Sequence, residues 1–534
     1  MSGIGTVDLV FLPLLLFVVV FGLIARRIGT PYPIVMVIGG LLLSFIPGLP
    51  RFTLDPDLIF LVVLPPLLYS SAWTTSWRDF HYNLVSILLL AFGLVGFTVA
   101  GIAMAAPHLL SGFDWRLGLV LGAVVAPTDA IAATSIARRV GLPGRIVDVL
   151  EGESLINDAT GLLALEFATG LIVDHHVPTV SDGLIKLLWL VAGGLGVGLI
   201  VAWLVDKAER HFDDGPIEIT LSILIPYAAY LAADSAGASG VLSVVACGLL
   251  LSRRSAHLFS PPVRLQIWSV WQALTFVLNG LVFVLIGLQL PSIRAAIQGY
   301  GRLTLLIDGA ILSALLIVLR LAWVFPGARL GHFLRTRVGH QHRKTPEGRE
   351  VFVIGWTGMR GVVSLAAALA LPATLAGGEP FPQRNPIVFL TFSVILVTLV
   401  LQGLTLPSLI RAMDLARPAG PNCEEQEARR LLAESAIAHL NGARDRDTKE
   451  AAALYDHLRE HYRHRLASLQ PDDGNRADAA WNDRYLELSL EALRAERETV
   501  IRLRNESRIN DEVMRRLERE LDLTESRLAG DQEE

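Results

Sequence analysis

Apolar residues do not alternate with polar ones along most of this chain. They gather into long runs of Leu, Val, Ile, Ala and Gly, interrupted by short stretches of Pro, Gly and charge. A helix crosses the hydrocarbon of a bilayer with about 17 to 25 residues. Runs near 8–25, 32–46, 56–73, 83–107, 116–138, 149–173, 183–205, 217–233, 238–252, 263–290, 303–328, 350–372 and 386–410 therefore predict about thirteen spans. A membrane β-barrel would instead show strands of about ten residues with alternating polarity. The pattern specifies an all-α polytopic membrane protein over residues 1–412. Beyond that point the pattern changes. Between Ala477 and Leu528, Trp481, Tyr485, Leu488, Val500, Leu503, Val513, Leu517 and Leu521 recur at near-helical spacing among Arg and Glu. An earlier helical piece runs from about Glu424 to Leu466, with Pro471–Gly474 as the break between them. Residues 413–534 read as a charged, solvated helical tail, with a regulatory or dimerising coiled coil as the alternative.

Charge sharpens this division. Of 534 residues 52% are hydrophobic and 18% charged, but 19 of the 46 Lys+Arg and 27 of the 51 Asp+Glu lie in residues 421–534. The first 420 residues are thus about 12% charged and net positive, and the last 114 about 40% charged and net negative. The first run, Leu9–Ala25, has no basic residue before it and is followed by Arg26 and Arg27, so it reads as a retained span rather than a cleaved signal. Lys and Arg gather on the cytoplasmic side of membrane proteins. One set of alternate loops, including Arg78, Arg138, Arg145, Arg254 and Arg335, holds seventeen of them, and the other set six. With an odd number of spans, this places the N-terminus outside and the tail in the cytoplasm. Nucleic acid is not an expected partner, because no basic block with interleaved aromatics occurs. Two cysteines, Cys247 and Cys423, exclude a disulfide framework. No Gly-Lys dipeptide, His-Glu-x-x-His or Gly-x-Ser-x-Gly is present, so a standard P-loop, a zinc hydrolase and a serine hydrolase are set aside, and no cofactor is expected.

An ionisable group inside a span costs roughly 2.5 to 3.5 kcal/mol on insertion scales and marks function by default. Three stretches stand out. In Ala126-Pro127-Thr128-Asp129-Ala130, proline removes a helix hydrogen bond while Thr and Asp suit a helix start, so the fifth span is expected to break at mid-membrane and restart. Transporters place helix ends and carbonyls around an ion in this way. The second stretch is Glu151-Gly152-Glu153-Ser154-Leu155-Ile156-Asn157-Asp158. Here Ser154 and Asp158 stand one helical turn apart, with Asn157 beside them and Glu153 a turn from Asn157. Oxygen donors of this kind match a hard alkali cation. A buried carboxylate is neutralised by either a proton or a cation, so the two would compete for Asp158. The third is Trp356-Thr357-Gly358-Met359-Arg360-Gly361, whose guanidinium requires a buried carboxylate, with Glu153 or Asp129 available. Glu166 and Asp308 also fall in apolar runs and read as boundary or locally paired groups.

On these three stretches, in this order and across about residues 8–412, the chain resembles the monovalent cation:proton antiporter-1 family. The resemblance implies two inverted six-span repeats, a dimerisation domain and a mobile core domain, and homodimers. It implies that Asp158 carries either the cation or protons in alternating access, with Ser154 giving a hydroxyl ligand and Thr128 a backbone oxygen. Asn157 would hold the unwound segment at Asp129, and Glu153 would pair with Arg360. An Asn-Asp pair implies electroneutral exchange. The chain departs from the family pattern where Ser70 and Ser71 follow Pro65-Pro66-Leu67-Leu68-Tyr69, and where Trp271-Gln272-Ala273 stands in the tenth span. The expected function is secondary-active sodium/proton antiport across the plasma (inner) membrane. Potassium/proton or mixed-cation (Na+, K+, Li+) exchange is the near alternative. A gated cation channel or membrane sensor is the alternative of another class.

Overall fold

The computed structural model describes residues 4–47, 54–173, 180–209, 214–258, 261–338, 347–375, 378–416, 423–444, 452–468, 476–506, 508 and 511–532. The loop cations Arg51, Arg210, Arg343 and Lys344, and the tail break at Pro471–Gly474, lie outside the described residues. Among those residues the only extended pairing is an isolated bridge between Thr374 and Pro380; everything else regular is helical. The chain forms two compact units, Met1–Arg417 and Pro418–Glu534.

The first unit contains α1 (Ile4–Ile28), α2 (Tyr32–Leu43), α3 (Pro56–Thr74), α4 (Trp77–Leu109), α5 (Trp115–Val125), α6 (Ala130–Val140), α7 (Gly144–Val173) and α8 (Val180–Glu209). It continues with α9 (Gly215–Ser235), α10 (Gly240–Leu258), α11 (Pro261–Leu288), α12 (Leu290–Ala296), α13 (Arg302–Val338), α14 (Gly348–Trp356), α15 (Val362–Leu369) and α16 (Arg384–Ala412). By length and composition, eight helical segments among the described residues can cross a membrane. They are α3, α4, α7, α8, α9, α11 with α12, α13 and α16, and α5 with α6 forms a further pair bent by 42°. The run predicted near 116–138 is therefore broken as expected. The run near 350–372 is broken too: it is two short helices, α14 and α15, separated by Thr357–Gly361.

Helix starts follow the local chemistry. Ser76, Asp114 and Asp214 each accept a hydrogen bond from a backbone N–H in the first turn of α4, α5 and α9, which satisfies a donor that the helix leaves open. Gly141 ends α6 in the left-handed conformation, φ 77°, where a side chain would be strained. Glycine also sets helix approach. A Cβ on Gly287 of α11 would run into the backbone of Val37, Gly40 and Leu41 on α2, and one on Gly40 would meet the Val284 carbonyl. Small residues allow this backbone contact, the main route to tight helix packing where both sides are apolar.

The second unit holds α17 (Cys423–Arg444), α18 (Ala452–Ser468), α19 (Arg476–Asn505) and α20 (Asp511–Gln532). The near-helical stripe between 477 and 528 falls on two helices, α19 and α20, joined around Arg508 and folded against each other. Arg497 bridges them, with a nitrogen 2.7 Å from Asp522 and 2.5 Å from Glu525. His464 of α18 stacks on Trp481 of α19 with ring centroids 3.9 Å apart. Val500 of the stripe is buried together with Leu486 and Leu493, whereas Trp481, Tyr485, Leu488 and Val513 are exposed, so the stripe coincides only in part with the core of this unit.

The α2–α11 contact makes a prediction. Gly287→Val should cost on the order of 1–3 kcal/mol through overpacking and lower the thermal unfolding midpoint of the purified protein. An unchanged midpoint would mean that the two backbones can part freely.

Candidate functional site

The two breaks cross each other. The backbone N–H of Asp129, in the α5–α6 break, donates to the Met359 carbonyl, in the α14–α15 break, at 2.8 Å. No Cβ fits at Gly361, because it would collide with the Asp129 side chain, nor at Gly358, because it would collide with Arg320. On the other side a Cβ at Gly161 of α7 would strike the Pro127 ring. Glycine at these positions lets two unwound strands and a helix approach to backbone distance.

Three of the four helix ends at the crossing have a side-chain partner, and α15 begins after Gly361 without a side-chain cap. The Asp129 carboxylate accepts from Ile131 N at 2.8 Å and so caps α6, and Ser154 Oγ accepts from Ala130 N at 3.3 Å. At the C-terminal end of α5, the Val125 carbonyl accepts from Arg360 Nε at 3.0 Å. At that of α14, the Ile354 carbonyl accepts from Arg320 Nε and Nη2 at 3.3 and 3.1 Å. Cations at helix C-termini and carboxylates at N-termini both complement the helix dipole.

The buried ion pair differs from the expected one. Glu153 is held by Arg320 of α13, with Nη1 to Oε1 at 2.5 Å and Nη2 to Oε2 at 2.9 Å, both side chains about 1–2% exposed. Arg360, 2% exposed, gives its side-chain donors to the Val125 and Gly358 carbonyls, while its backbone N donates to Thr398 Oγ1. The fork geometry of Arg320 satisfies both oxygens of Glu153 at once, and Arg360 is already occupied by helix ends. Thr128 Oγ1 donates to Glu153 Oε1 at 3.1 Å and accepts from Asn157 Nδ2 at 2.7 Å. Asn157 Nδ2 also lies 3.3 Å from the Thr128 carbonyl. Asn157 thus binds the unwound strand through Thr128, one residue before Asp129.

Asp158 is different. It is 8% exposed, makes no hydrogen bond or ion pair among the described residues, and lines a cavity of about 120 Å³. Thr128, Asp129 and Ser154 line the same cavity, as do Asn279 and Phe283 of α11 and Ser364 of α15. Asn157, Glu153 and Arg360 are packed behind it. Several water molecules fit such a volume. The donor atoms on offer are carboxylate, hydroxyl, amide and backbone oxygens, a set suited to a hard cation.

A family model described as "Sodium/hydrogen exchanger, transmembrane" matches residues 14–412.

The chain belongs to this sodium/hydrogen exchanger family.

An "uncharacterized Na(+)/H(+) exchanger" of Mycobacterium tuberculosis is 34% identical over 528 residues, 97% of this chain and 96% of that protein. A protein of the same description in Escherichia coli is 32% identical, over 93% and 94% of the two chains. A "sodium, potassium, lithium and rubidium/H(+) antiporter" of Bacillus pumilus is 33% identical over 82% of this chain and 66% of that protein. Among solved structures, the sodium proton antiporter MjNhaP1 of Methanocaldococcus jannaschii superposes with a TM-score of 0.56. It is 21% identical and covers 77% of this chain and 100% of that one, a likeness of fold.

In this exchanger the structure brings Thr128, Asp129, Ser154, Asn157 and Asp158 together and gives Glu153 a partner that the sequence reading passed over. Arg320 carried a legible signal, as the charge in the middle of the apolar run 303–328. Ser364 carried none, since one hydroxyl in an apolar helix is unremarkable. Outside the crossing, Glu166 pairs with Lys186 at 2.6 Å, and Asp308 is buried.

Removing one side of a buried ion pair strands the other charge, at about 3–5 kcal/mol. Arg320→Ala should therefore give an exchanger that expresses poorly or unfolds at clearly lower temperature, with Arg320→Lys milder. Normal thermal stability of Arg320→Ala would show that the pair braces nothing.

Proposed function

We propose that this exchanger is a secondary-active antiporter that exchanges a monovalent cation, sodium foremost, for a proton across the plasma (inner) membrane. One observation carries the reading: Asp158 is a carboxylate with no counterion among the described residues, at the edge of a cavity in the membrane unit, among oxygen donors. A carboxylate in this position is stable when a proton or a cation neutralises it. Either occupant excludes the other, and that exclusion is what couples the two flows. Asp158, Ser154 and the Thr128 oxygen would ligate the cation, and Asp129 and Asn157 would hold the unwound strand in place.

The formal charges of the buried cluster support electroneutral exchange. Arg320 and Arg360 stand against Glu153, Asp129 and Asp158. Taken as ionised, these five groups sum to one negative charge. A single proton or a single monovalent ion at Asp158 neutralises it equally, so the loaded forms are electrically alike. The cavity is also lined by Thr74, Thr134 and Glu151, and Glu151 pairs with Arg138 at 2.7 Å. Arg138 belongs to the basic loop set, so by the loop charges the cavity leads to the cytoplasm and the described state faces inward, with the N-terminus outside and the second unit cytoplasmic. An inward proton gradient would then drive the cation out. A homodimer is the expected assembly, on family resemblance.

Potassium is the competing cargo, because the B. pumilus relative is described as carrying sodium, potassium, lithium and rubidium. Proteoliposomes holding a pH-sensitive dye, with a proton gradient imposed, should respond to added sodium, potassium or lithium by proton movement. Asp158→Asn should abolish the response while remaining folded. Retained exchange in the variant would remove Asp158 from the mechanism, and cation flux without proton movement would replace the antiporter by a channel.

A second measurement addresses stoichiometry. Exchange rates should be the same with the membrane potential clamped at zero and with a potential imposed. A rate that follows the imposed potential would exclude one-for-one exchange.

A further inference from the structure

A groove of about 720 Å³ lies between α1, α2, α6 and α11, apart from the Asp158 cavity. Two charged residues, Arg26 of α1 and Arg139 of α6, line it, with no carboxylate among its lining residues. The Arg139 guanidinium lies against Gly29, in the turn between α1 and α2: a Cβ there would be 3.2 Å from Nη2. Both arginines fall in the last turns of their helices, so they mark one end of the membrane unit. Among the described residues neither has an ion pair, whereas the neighbouring Arg138 is bound to Glu151. The rest of the wall includes Val19, Leu23 and Phe276, and Val19 and Leu23 are 52% and 61% exposed, facing away from the protein core.

We propose that this groove binds an anionic phospholipid, with its phosphate on Arg26 and Arg139 and an acyl chain along Val19, Leu23 and Phe276. Four observations converge on that occupant. The groove belongs to a membrane-spanning unit, its charge is of one sign, its cations lie at helix ends where headgroups reside, and Val19, Leu23, Ala273 and Phe276 give it an apolar side beside the hydroxyls of Thr30, Ser135 and Ser269 and the amide of Gln272. Basic pockets between transmembrane helices recognise anionic headgroups in this way, and the volume falls in the range of small-molecule sites. A soluble anion would satisfy the arginines but leave Val19, Leu23 and Phe276 uncovered. The lipid would also touch α6, the helix whose other end is capped by Asp129, so its presence would bear on the helix that carries part of the crossing.

The test uses the purified full chain in detergent and native mass spectrometry, with dioleoyl phosphatidylglycerol and dioleoyl phosphatidylcholine as probes and inorganic phosphate as competitor. Wild type should retain phosphatidylglycerol about tenfold or more over phosphatidylcholine, the scale set by two basic side chains at an anionic lipid. Arg26→Gln with Arg139→Gln should reduce retention to the phosphatidylcholine level. Ala273→Trp, which fills the groove without changing its charge, should do the same, and this keeps the test decisive if the double variant fails to fold. Arg27→Gln, outside the groove, should behave as wild type. Equal retention of the two lipids, unchanged retention in a folded double variant or in Ala273→Trp, or loss in Arg27→Gln would overturn the proposal. Displacement by phosphate would assign the arginines to a soluble anion instead.

Discussion

A helix that stops inside hydrocarbon leaves backbone groups with no water to satisfy them, each at a cost of several kcal/mol. This exchanger does so twice at one place, and its centre is arranged around the ends that result. Arg360 covers the Val125 carbonyl of α5 and Arg320 the Ile354 carbonyl of α14. Asp129 covers the start of α6. Charge that would be prohibitive in a continuous span becomes favourable when it lies at a helix end of opposite sign. Two arginines and an aspartate are therefore the complement of the broken backbone.

The same arrangement separates two carboxylates that stand five residues apart on α7. Glu153 is surrounded by donors, the Arg320 fork and the Thr128 hydroxyl, and its charge is fixed. Asp158 meets none and borders the cavity. Position along a single helix decides which is structural and which is exchangeable, because one turn of α7 faces the arginine side of the crossing and the next faces the open side. Asn157 lies between the two in sequence and uses its amide on Thr128, so the residue beside the free carboxylate stabilises the strand that the cargo would contact.

The helical architecture was legible because long apolar runs admit few other folds, and the first break was legible because Pro127 cannot sit in a helix without cost while Asp129 can begin one. The second break was not read, although Gly358 and Gly361 flank Arg360, because glycine is tolerated in membrane helices and signals an opening only when a neighbour crosses. The pairing of Glu153 with Arg360 failed for a related reason. Counting charges supplies a partner for Arg360, but carbonyls at helix ends are partners as well, and they do not show in a count of ionisable residues. In the tail, periodicity marked the apolar stripe but could not tell one long helix from two folded together, since both present the same spacing. Arg497 reaching Asp522 and Glu525 is the contact that separates them.

The hydrogen bond from Asp129 to Met359 joins the two unwound strands into a single cross, wedged by Gly361 on one side and Gly161 on the other. A cross of that kind has little tolerance for local adjustment: widening one arm drags its partner. Divergence in ion preference among proteins built this way should then accumulate on the free walls, Leu67 and Ser71 of α3 and Asn279 and Phe283 of α11, leaving the cross as the inherited constant.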